Sequence, residues 1–280
     1  MLREIAAKEI ENLIYDLCLR AGRTLDEPAQ AALRAALAAE ESPVGRESLR
    51  QLVDNLDAAR ARNLPLCQDT GMAVVFADVG QDVHIAGGLL SDAIDEGVRR
   101  AYRDGSFRAS VLTPLERRNT GDNTPAVLHT RLVAGDRIHI TVAPKGFGSE
   151  NMSRLKMLTP SAGVAGALDF IVETVALAGG NPCPPVVVGV GLGGTFERCA
   201  QLAKRSLLRP LGAFSPDSAL RALETELLAR INALGIGPMG LGGTVTALAV
   251  HIEAEPTHIA GLPVAVNMQC HCARHAEGVI

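Results

Sequence analysis

The chain has 280 residues, of which 47% are hydrophobic, so it can bury a large core and is not disordered over most of its length. Its 27 basic and 31 acidic side chains leave a net charge of −4. Because no Lys/Arg-dense segment accompanies this charge, the sequence excludes the basic surface that nucleic-acid binding requires. The 3% content of aromatic residues argues against stacking platforms for single strands or sugars.

Two segments without charged residues, 174–196 and 233–252, are long enough to span a membrane. Each contains several glycines or prolines, which would interrupt a spanning helix repeatedly. We therefore interpret both segments as buried strands and loops. The first residues include Arg3 and Glu4, where a signal peptide would need an apolar run. The sequence predicts a cytoplasmic protein that does not associate with a membrane.

Hydrophobic periodicity predicts a helical N-terminal region, residues 1–62, followed by alternating strands and helices. The predicted helices are 2–21, 24–40, 42–62, 89–104, 161–178, 196–208 and 218–234. The predicted strands are 71–79, 126–132, 137–143, 185–191, 244–252 and 259–266. The strands at 126–132 and 137–143 are expected to pair around a turn at Gly135. This order favours an α+β fold, with mixed or antiparallel sheets surrounded by helices, in a single domain over residues 1–280.

A glycine run at Gly189–Gly194 follows an apolar strand and precedes a helix. Dinucleotide-binding proteins carry a similar fingerprint. That fingerprint also requires a second strand that ends in an acidic residue about twenty positions later. The nearest acid here, Asp217, lies in a Ser/Pro loop with no apolar strand before it. We favour a tight strand-to-helix turn and keep an NAD-dependent oxidoreductase as an alternative.

Six cysteines in a chain of this length are too few for a disulfide scaffold. Three of them, Cys67, Cys183 and Cys270, lie in loops next to apolar strand-like runs. Cys18 and Cys199 lie inside amphipathic helices, which is typical of buried structural thiols. Cysteines that are dispersed in sequence can converge in space, so the three loop cysteines are candidate ligands of a metal cluster.

The C-terminal segment Cys270–His275 concentrates two cysteines and two histidines, which are the side chains that zinc prefers. Its spacing matches none of the familiar zinc patterns. A zinc-binding interaction module therefore stays open as a further alternative.

Four other positions have candidate chemistry beside a simpler structural role. Asp69 follows Cys67 closely and could place a carboxylate at a metal site or form a turn. His258 lies next to an apolar run, where a lone histidine is typical of a structural residue. Arg108 could bind a carboxylate through both guanidinium nitrogens or be solvated. The glycine-rich segment around Gly148 could bind an anion through backbone N–H groups or be a turn.

Six ordered sequence blocks decide between these possibilities. They read LPLCQDTG, NTGDNTPA, KGFGSENMSRLKMLTPS, NPCPPVVVGVGLGGT, IGPMGLGG and HIAGLPVAVNMQCH. Together they resemble the iron–sulfur hydro-lyases of the class I fumarase and L-tartrate dehydratase family, specifically the alpha subunit of the two-subunit form. The resemblance covers nearly the whole chain and is weakest in the first 40 residues.

The resemblance implies a [4Fe–4S] cluster held by Cys67, Cys183 and Cys270, with one iron left open for substrate. It implies the reversible hydration of fumarate to L-malate. Cys272 lies close to Cys270, where the family has a different residue, and could compete as a ligand or form an oxidised pair.

The resemblance also implies roles for individual residues. Gln68 and Asp69 match substrate contacts, with Asp69 in the acid–base pair. His258 matches a histidine beside the substrate that would help to protonate the leaving hydroxyl. Arg108 matches a carboxylate-binding position, and Gly148 matches a backbone contact to the substrate.

The segment KGFGSEN resembles the fumarase-type KGGGSEN, with Phe147 in place of a glycine. On this ground we expect fumarate to be the substrate, with L-tartrate as the alternative. Single-chain relatives continue into a second domain that supplies further active-site residues. We therefore expect a separate beta subunit and an α₂β₂ assembly, or else that this chain is part of a longer protein.

Overall fold

The computed structural model describes residues 2–280, and their contacts divide into two compact units. Unit 1 consists of the residues up to Asp26, Asn55–Gly146 and Arg274–Ile280, and unit 2 consists of Glu27–Asp54 and Phe147–Ala273. Each unit combines helices with a four-stranded mixed sheet, so the predicted α+β class is confirmed. The single domain over residues 1–280 stays a prediction.

The helices and strands lie close to the predicted positions, with four short strands added. In chain order they are β1 (Arg3–Ala6), α1 (Ala7–Arg23), α2 (Glu27–Ala39), α3 (Pro43–Arg62), β2 (Met72–Gly80), β3 (Val83–Ala86), α4 (Leu90–Asp104), β4 (Val127–Val133), β5 (Ile138–Lys145), α5 (Phe147–Glu150), β6 (Arg154–Leu158), α6 (Gly163–Ala178), β7 (Val186–Gly194), α7 (Phe196–Ser206), α8 (Ser218–Asn232), β8 (Ala247–Thr257), β9 (Leu262–Gln269) and β10 (Ala276–Val279). Short 3₁₀ turns occupy Pro160–Ala162 and Pro238–Gly240.

The first helix begins later than predicted, because residues 3–6 form a strand. Strand β1 pairs in parallel with β3, with Ile5 opposite Ile85. Apolar spacing does not reveal this pairing, since the partner of β1 lies some eighty residues away in the chain. The other unpredicted strands, β3, β6 and β10, have four, five and four residues, which is too short for a clear alternation.

The sheet of unit 1 has the strand order β10-β5-β2-β4. The predicted hairpin between β4 and β5 is wrong, because β2 lies between them, parallel to β4 and antiparallel to β5. Strand β2 is the most apolar of the four and is buried along most of its length, so it takes one of the two inner positions. Helices α1 and α4 pack together on this sheet, with Ile14, Val98 and Ile140 fully buried in the shared core.

The sheet of unit 2 has the order β6-β9-β7-β8. Its central strand β7 pairs antiparallel with β9 and parallel with β8. Val186, Val188 and Val190 belong to an apolar core that they share with helices α6 and α8. The intervening residues face helix α7, because side chains alternate between the two faces of a strand.

The glycine run is part of strand β7 and packs against helix α7. A Cβ atom at Gly189 would lie 2.2 Å from the carbonyl oxygen of Ala203, and one at Gly191 would lie 2.1 Å from that of Cys199. Only glycine permits so close an approach of helix to strand. The predicted turn is therefore confined to Gly193 and Gly194, whose φ angles are +82° and +67°. The packing of α7 on β7 explains Gly189 and Gly191 without a bound dinucleotide.

Within residues 2–280, one helical stretch, Pro160–Ala178, is long and apolar enough by length and composition to cross a membrane. Ile171 and Val175 of this stretch lie in the core of unit 2. A core helix passes the same test, so the finding is weak evidence for a span.

The close packing of α7 on β7 leads to a stability prediction for Gly191→Ala. The added methyl group would collide with the backbone of α7, and we expect a loss of about 1–3 kcal/mol in the free energy of unfolding, as is typical of overpacked sites. Urea unfolding would measure it as a lower midpoint with an unchanged slope.

Gly261→Ala is the matched control, because a Cβ atom there would meet nothing within 4 Å. Equal stability of Gly191→Ala and Gly261→Ala would contradict the packing role of the glycine run.

Candidate functional site

The loop that carries Cys67 lies in unit 1, between α3 and β2. Leu66 fixes its start, because its backbone N–H donates to the carbonyl of Gly22 at 3.0 Å. The side-chain amide of Asn55 donates to the carbonyl of Leu66 at 2.9 Å. Cys67 itself is half-buried, so its thiol sits in an anchored loop that remains partly open to solvent.

Two buried polar side chains hold the end of this loop. The hydroxyl of Tyr102 lies 3.0 Å from the carbonyl oxygens of both Thr70 and Gly71. The amide of Asn123 donates to the carbonyl of Gly71 at 3.1 Å. Burial raises the pKa of Tyr102, so the hydroxyl keeps its proton and acts as a donor. Sequence analysis missed both residues, although Asn123 belongs to the NTGDNTPA block.

Asp69 is held at both its side chain and its backbone. Its Oδ1 accepts the N–H of Gly71 at 3.1 Å, as expected for a turn-forming aspartate. A Cβ atom at Gly146 would lie 3.0 Å from Oδ2, so the glycine leaves room for this carboxylate. The guanidinium of Arg274 donates to the backbone carbonyl of Asp69. Arg274 is a further residue that sequence analysis missed, although it belongs to the Cys/His-rich segment.

Arg108 lies beside the same loop, because the hydroxyl of Thr70 donates to its backbone carbonyl at 3.0 Å. Its side chain is exposed and makes no ion pair with any residue in the range 2–280. Gln68 is exposed as well. Unit 1 therefore brings together four of the predicted site residues, Cys67, Gln68, Asp69 and Arg108.

The turn that carries Cys183 lies in unit 2, between α6 and β7. The backbone N–H of Cys183 donates to the carbonyl of Gly180 at 3.1 Å. Cys183 has a φ angle of +55°, which is uncommon for a residue other than glycine. Such strained positions cluster at functional sites, where the surrounding structure holds them in place.

The turn that carries Cys270 is hydrogen-bonded to the turn of Cys183 through His271. The backbone N–H of His271 donates to the carbonyl of Cys183 at 3.3 Å. Its ring Nδ1 lies 3.0 Å from the same oxygen, where it can only donate. Unit 2 therefore brings Cys183 and the neighbour of Cys270 into direct contact. His271 is absent from the predicted site residues, although it lies in the last sequence block.

Gly148 belongs to the four-residue helix α5, so the predicted glycine-rich loop is a helical turn here. A Cβ atom at Gly148 would meet the carbonyl oxygen of Asn181 at 3.8 Å. Glu150 of the same helix accepts a hydrogen bond from Asn267 at 3.0 Å. These contacts place Gly148 beside the turn of Cys183, as expected of a shared site.

His258 lies at the other end of the sheet from the two cysteines of unit 2. It occupies the turn between β8 and β9, where Thr257 pairs with Gly194. The last residue of β9, Gln269, pairs with Val187 at the start of β7. The length of β9 separates these ends by about 24 Å, at roughly 3.4 Å per residue. His258 is exposed, and its Nδ1 accepts the N–H of Ala260 at 3.2 Å.

The six cysteines differ in their surroundings, and none forms a disulfide bond. Burial raises the pKa of Cys18 to about 12 and that of Cys199 to about 11, so both stay protonated at neutral pH. Cys272 is buried as well, whereas Cys67, Cys183 and Cys270 are half-buried. Cys270 and Cys272 are both free thiols here, so the oxidised pair, one of the two possibilities for Cys272, is not formed.

No group of three or more His, Cys, Asp or Glu side chains in the described part of the chain, 2–280, is arranged to hold a metal ion. Of the predicted cluster ligands, one belongs to unit 1 and two belong to unit 2. The Cys/His-rich segment is likewise divided, since His275 belongs to unit 1 and its Nε2 lies 3.8 Å from Asp26.

Comparison with known proteins identifies the family of this chain. Residues 11–279 match the family described as fumarate hydratase (Fumerase). The chain belongs to this family. Fumerase-family proteins are hydro-lyases, so the alternatives of an NAD-dependent oxidoreductase and a zinc module lose their support.

The curated relatives share a subunit name. A protein of Methanocaldococcus jannaschii named "Putative L(+)-tartrate dehydratase subunit alpha" is 42% identical over 274 residues, which cover 96% of this chain and 96% of the relative. The "L(+)-tartrate dehydratase subunit alpha" of Escherichia coli K12 is 35% identical over 240 residues, which cover 84% of this chain and 79% of the relative. The Shigella sonnei protein of the same name has the same identity and coverage.

The anchoring of the Cys67 loop gives a prediction for Tyr102→Phe. The change keeps the ring but removes the donor to two buried carbonyls, which costs about 1–3 kcal/mol. We expect faster amide hydrogen exchange at residues 67–71, measured by mass spectrometry.

Tyr15→Phe is the control, because it also removes a tyrosine hydroxyl but keeps the ring that packs under the guanidinium of Arg100. Exchange at residues 67–71 should not change in this variant. Unchanged exchange at residues 67–71 in Tyr102→Phe would show that this hydroxyl does not hold the loop.

Proposed function

We propose that this chain is the alpha subunit of a cytoplasmic [4Fe–4S] hydro-lyase that dehydrates a small hydroxy-dicarboxylate, with L-tartrate as the favoured substrate. The observation that carries the proposal is the contact between the turns of Cys183 and Cys270, in a chain that belongs to the Fumerase family. A reducing compartment is consistent with six thiols and no disulfide bond.

Cys67, Cys183 and Cys270 are the residues that would hold the cluster. Their half-buried loop positions suit metal ligation, whereas Cys18 and Cys199 are buried in helices with raised pKa values. These three thiolates would hold a [4Fe–4S] cluster, which would supply Lewis acidity toward the substrate hydroxyl and carboxylate.

Asp69 is our candidate for proton transfer at the substrate carbon. A proton on the carbon next to a carboxylate is only weakly acidic, so the base that removes it must be held in a defined position. The hydrogen bond from Gly71 to Oδ1 orients the carboxylate, and Gly146 leaves room for Oδ2, since a Cβ atom there would lie 3.0 Å from it. Only the resemblance supports His258 as the second member of the acid–base pair. Its position gives no support, because its turn is remote from the cysteines of unit 2.

Arg108 and Gln68 are our candidates for binding the substrate carboxylates. The guanidinium of Arg108 is exposed and unpaired within residues 2–280, so it is available for a bidentate contact. Gln68 offers an exposed amide that can donate and accept. We propose a backbone contact from Gly148, on the ground of its nearness to the turn of Cys183.

Tartrate is favoured over fumarate by the names of the relatives. Curated proteins at 42% and 35% identity are named as tartrate dehydratase alpha subunits, so the comparisons do not support the expected preference for fumarate. Fumarate stays the second candidate because the segment around Gly148 resembles the fumarase type. Phe147, the departure from that type, is 45% exposed at the start of α5 and could contact a substrate.

The same names support a separate beta subunit. The relatives are called alpha subunits, and they match this chain over most of their length. We propose an α₂β₂ enzyme in which the beta subunit supplies further active-site groups. The chain alone would then bind the cluster but turn over little substrate.

The iron content after anaerobic reconstitution tests the cofactor. We expect about four irons per chain with a visible iron–sulfur spectrum that is lost in air. Alanine at Cys67, Cys183 or Cys270 should remove most of the iron, because each supplies one of only three protein ligands.

Cys18→Ala and Cys199→Ala are matched controls, one in each unit, and should retain the iron. Zinc without iron, unaffected by Cys67→Ala, would refute the proposed cofactor.

Steady-state turnover with the beta subunit tests the substrate. We expect a higher kcat/KM for L-tartrate than for hydration of fumarate. Asp69→Asn should lower kcat by about 10²–10⁴-fold, the usual contribution of a positioned acid or base. The exposed Asp92 provides a neutral control as Asp92→Asn.

A higher kcat/KM for fumarate would reverse the order of the two substrates. Full turnover by the chain without a partner would contradict the two-subunit enzyme.

A further inference from the structure

Glu40 is a buried carboxylate in unit 2, directly after helix α2. Only 1% of its surface is exposed. Its oxygens accept backbone hydrogen bonds from Ser42 at 2.8 Å, from Thr244 at 2.9 and 3.1 Å, and from Val245 at 2.9 Å. Burial opposes ionisation, but the N–H donors of Thr244, Ser42 and Val245 outweigh it and lower the pKa. The carboxylate is therefore charged and fully hydrogen-bonded.

The glycine loop, which we define as residues 235–243, leaves space for this carboxylate. A Cβ atom at Gly243 would lie 2.6 Å from Oε1 of Glu40, and one at Gly45 would lie 3.0 Å from its Cδ. The φ angle of Gly243 is +145°, which side chains rarely adopt. The loop is thus shaped around Glu40, and the N–H groups that follow it, on Thr244 and Val245, donate to Glu40.

The glycine loop also packs against the cysteine turn, which we define as residues 180–184. The N–H of Met239 donates to the carbonyl of Pro184 at 2.8 Å. A Cβ atom at Gly240 would lie 2.6 Å from the Cα of Gly180. Gly180 in turn accepts the N–H of Cys183 at 3.1 Å. Backbone therefore touches backbone from the glycine loop to both ends of the cysteine turn.

We propose that Glu40 is a positioning residue for Cys183, because its carboxylate holds the glycine loop against the turn that carries this thiol. The left-handed conformation of Cys183 is costly by itself, so its geometry depends on the surrounding contacts. Groups that support a metal ligand affect metal binding as well as stability. The consequence for the cluster rests on the proposed function, whereas the mechanical link does not.

Glu40→Gln tests the link in the chain without metal. The amide has nearly the same shape, but its NH₂ group cannot accept the backbone N–H groups. We expect hydrogen exchange at residues 237–245 and alkylation of Cys183 by iodoacetamide to rise about fivefold each, the factor that corresponds to about 1 kcal/mol. Both rates are read by mass spectrometry below the unfolding temperature.

Glu224→Gln is the matched control in the same unit. Glu224 is also buried and accepts backbone hydrogen bonds, from Ile252 at 2.7 Å and Ser215 at 3.3 Å, but it contacts neither the glycine loop nor the cysteine turn. The alkylation rate of Cys183 should not change in this variant. The buried thiol of Cys199 reports general opening and should react no faster in Glu40→Gln.

Glu40→Asp keeps the charge but shortens the side chain by one methylene, so we expect an alkylation rate of Cys183 between those of the wild type and Glu40→Gln. This variant also tests the link if Glu40→Gln does not fold. A looser glycine loop with an unchanged Cys183 rate would overturn the proposal. Equal acceleration of Cys183 and Cys199 would overturn it as well, because it would indicate general destabilisation.

The reconstituted protein separates this inference from the proposed function. If the wild type takes up iron, the spectrum of Glu40→Gln should be lost in air about fivefold faster than that of Glu224→Gln, and equal loss rates would overturn the role toward the cluster. If the wild type takes up no iron, the proposed cofactor fails, and the alkylation rates still decide whether Glu40 positions Cys183.

Discussion

The two hydrogen bonds from His271 to the carbonyl of Cys183 are the contact on which the candidate chemistry of unit 2 depends. They join turns that lie 88 residues apart in the chain. Both turns adjoin the paired ends of β7 and β9, so two largely buried inner strands of the sheet hold them in place. A metal ligand needs a defined position as well as a thiol, and this contact provides it for Cys183.

The two units position their candidate residues in the same way. In each, a loop with a cysteine precedes a largely buried inner strand of the sheet, β2 in unit 1 and β7 in unit 2. Buried polar groups then hold the loop: Tyr102 and Asn123 in unit 1, and Glu40 through the glycine loop in unit 2. Catalytic loops on rigid strands combine solvent access with fixed geometry.

Glycine illustrates why a motif needs its structural context. The run in β7 satisfies the spacing of a dinucleotide fingerprint, yet Gly189 and Gly191 serve the close approach of α7. Gly243 admits the carboxylate of Glu40, and Gly146 lies against that of Asp69. Each position needs glycine because a backbone or a charged group lies where a side chain would be, which spacing alone does not show.

The sequence by itself determined the α+β class, most helices and strands, the family and the loop positions of the candidate cysteines. Local periodicity, Gly and Pro placement and ordered motifs contain that information, since each depends on neighbours along the chain. The tertiary structure decided the pairing of β4 with β2, the strand at residues 3–6 and the remoteness of His258 from Cys270. It also decided the roles of Tyr102, His271 and Glu40. These features depend on hydrogen bonds between residues far apart in sequence, and no local pattern encodes the partner.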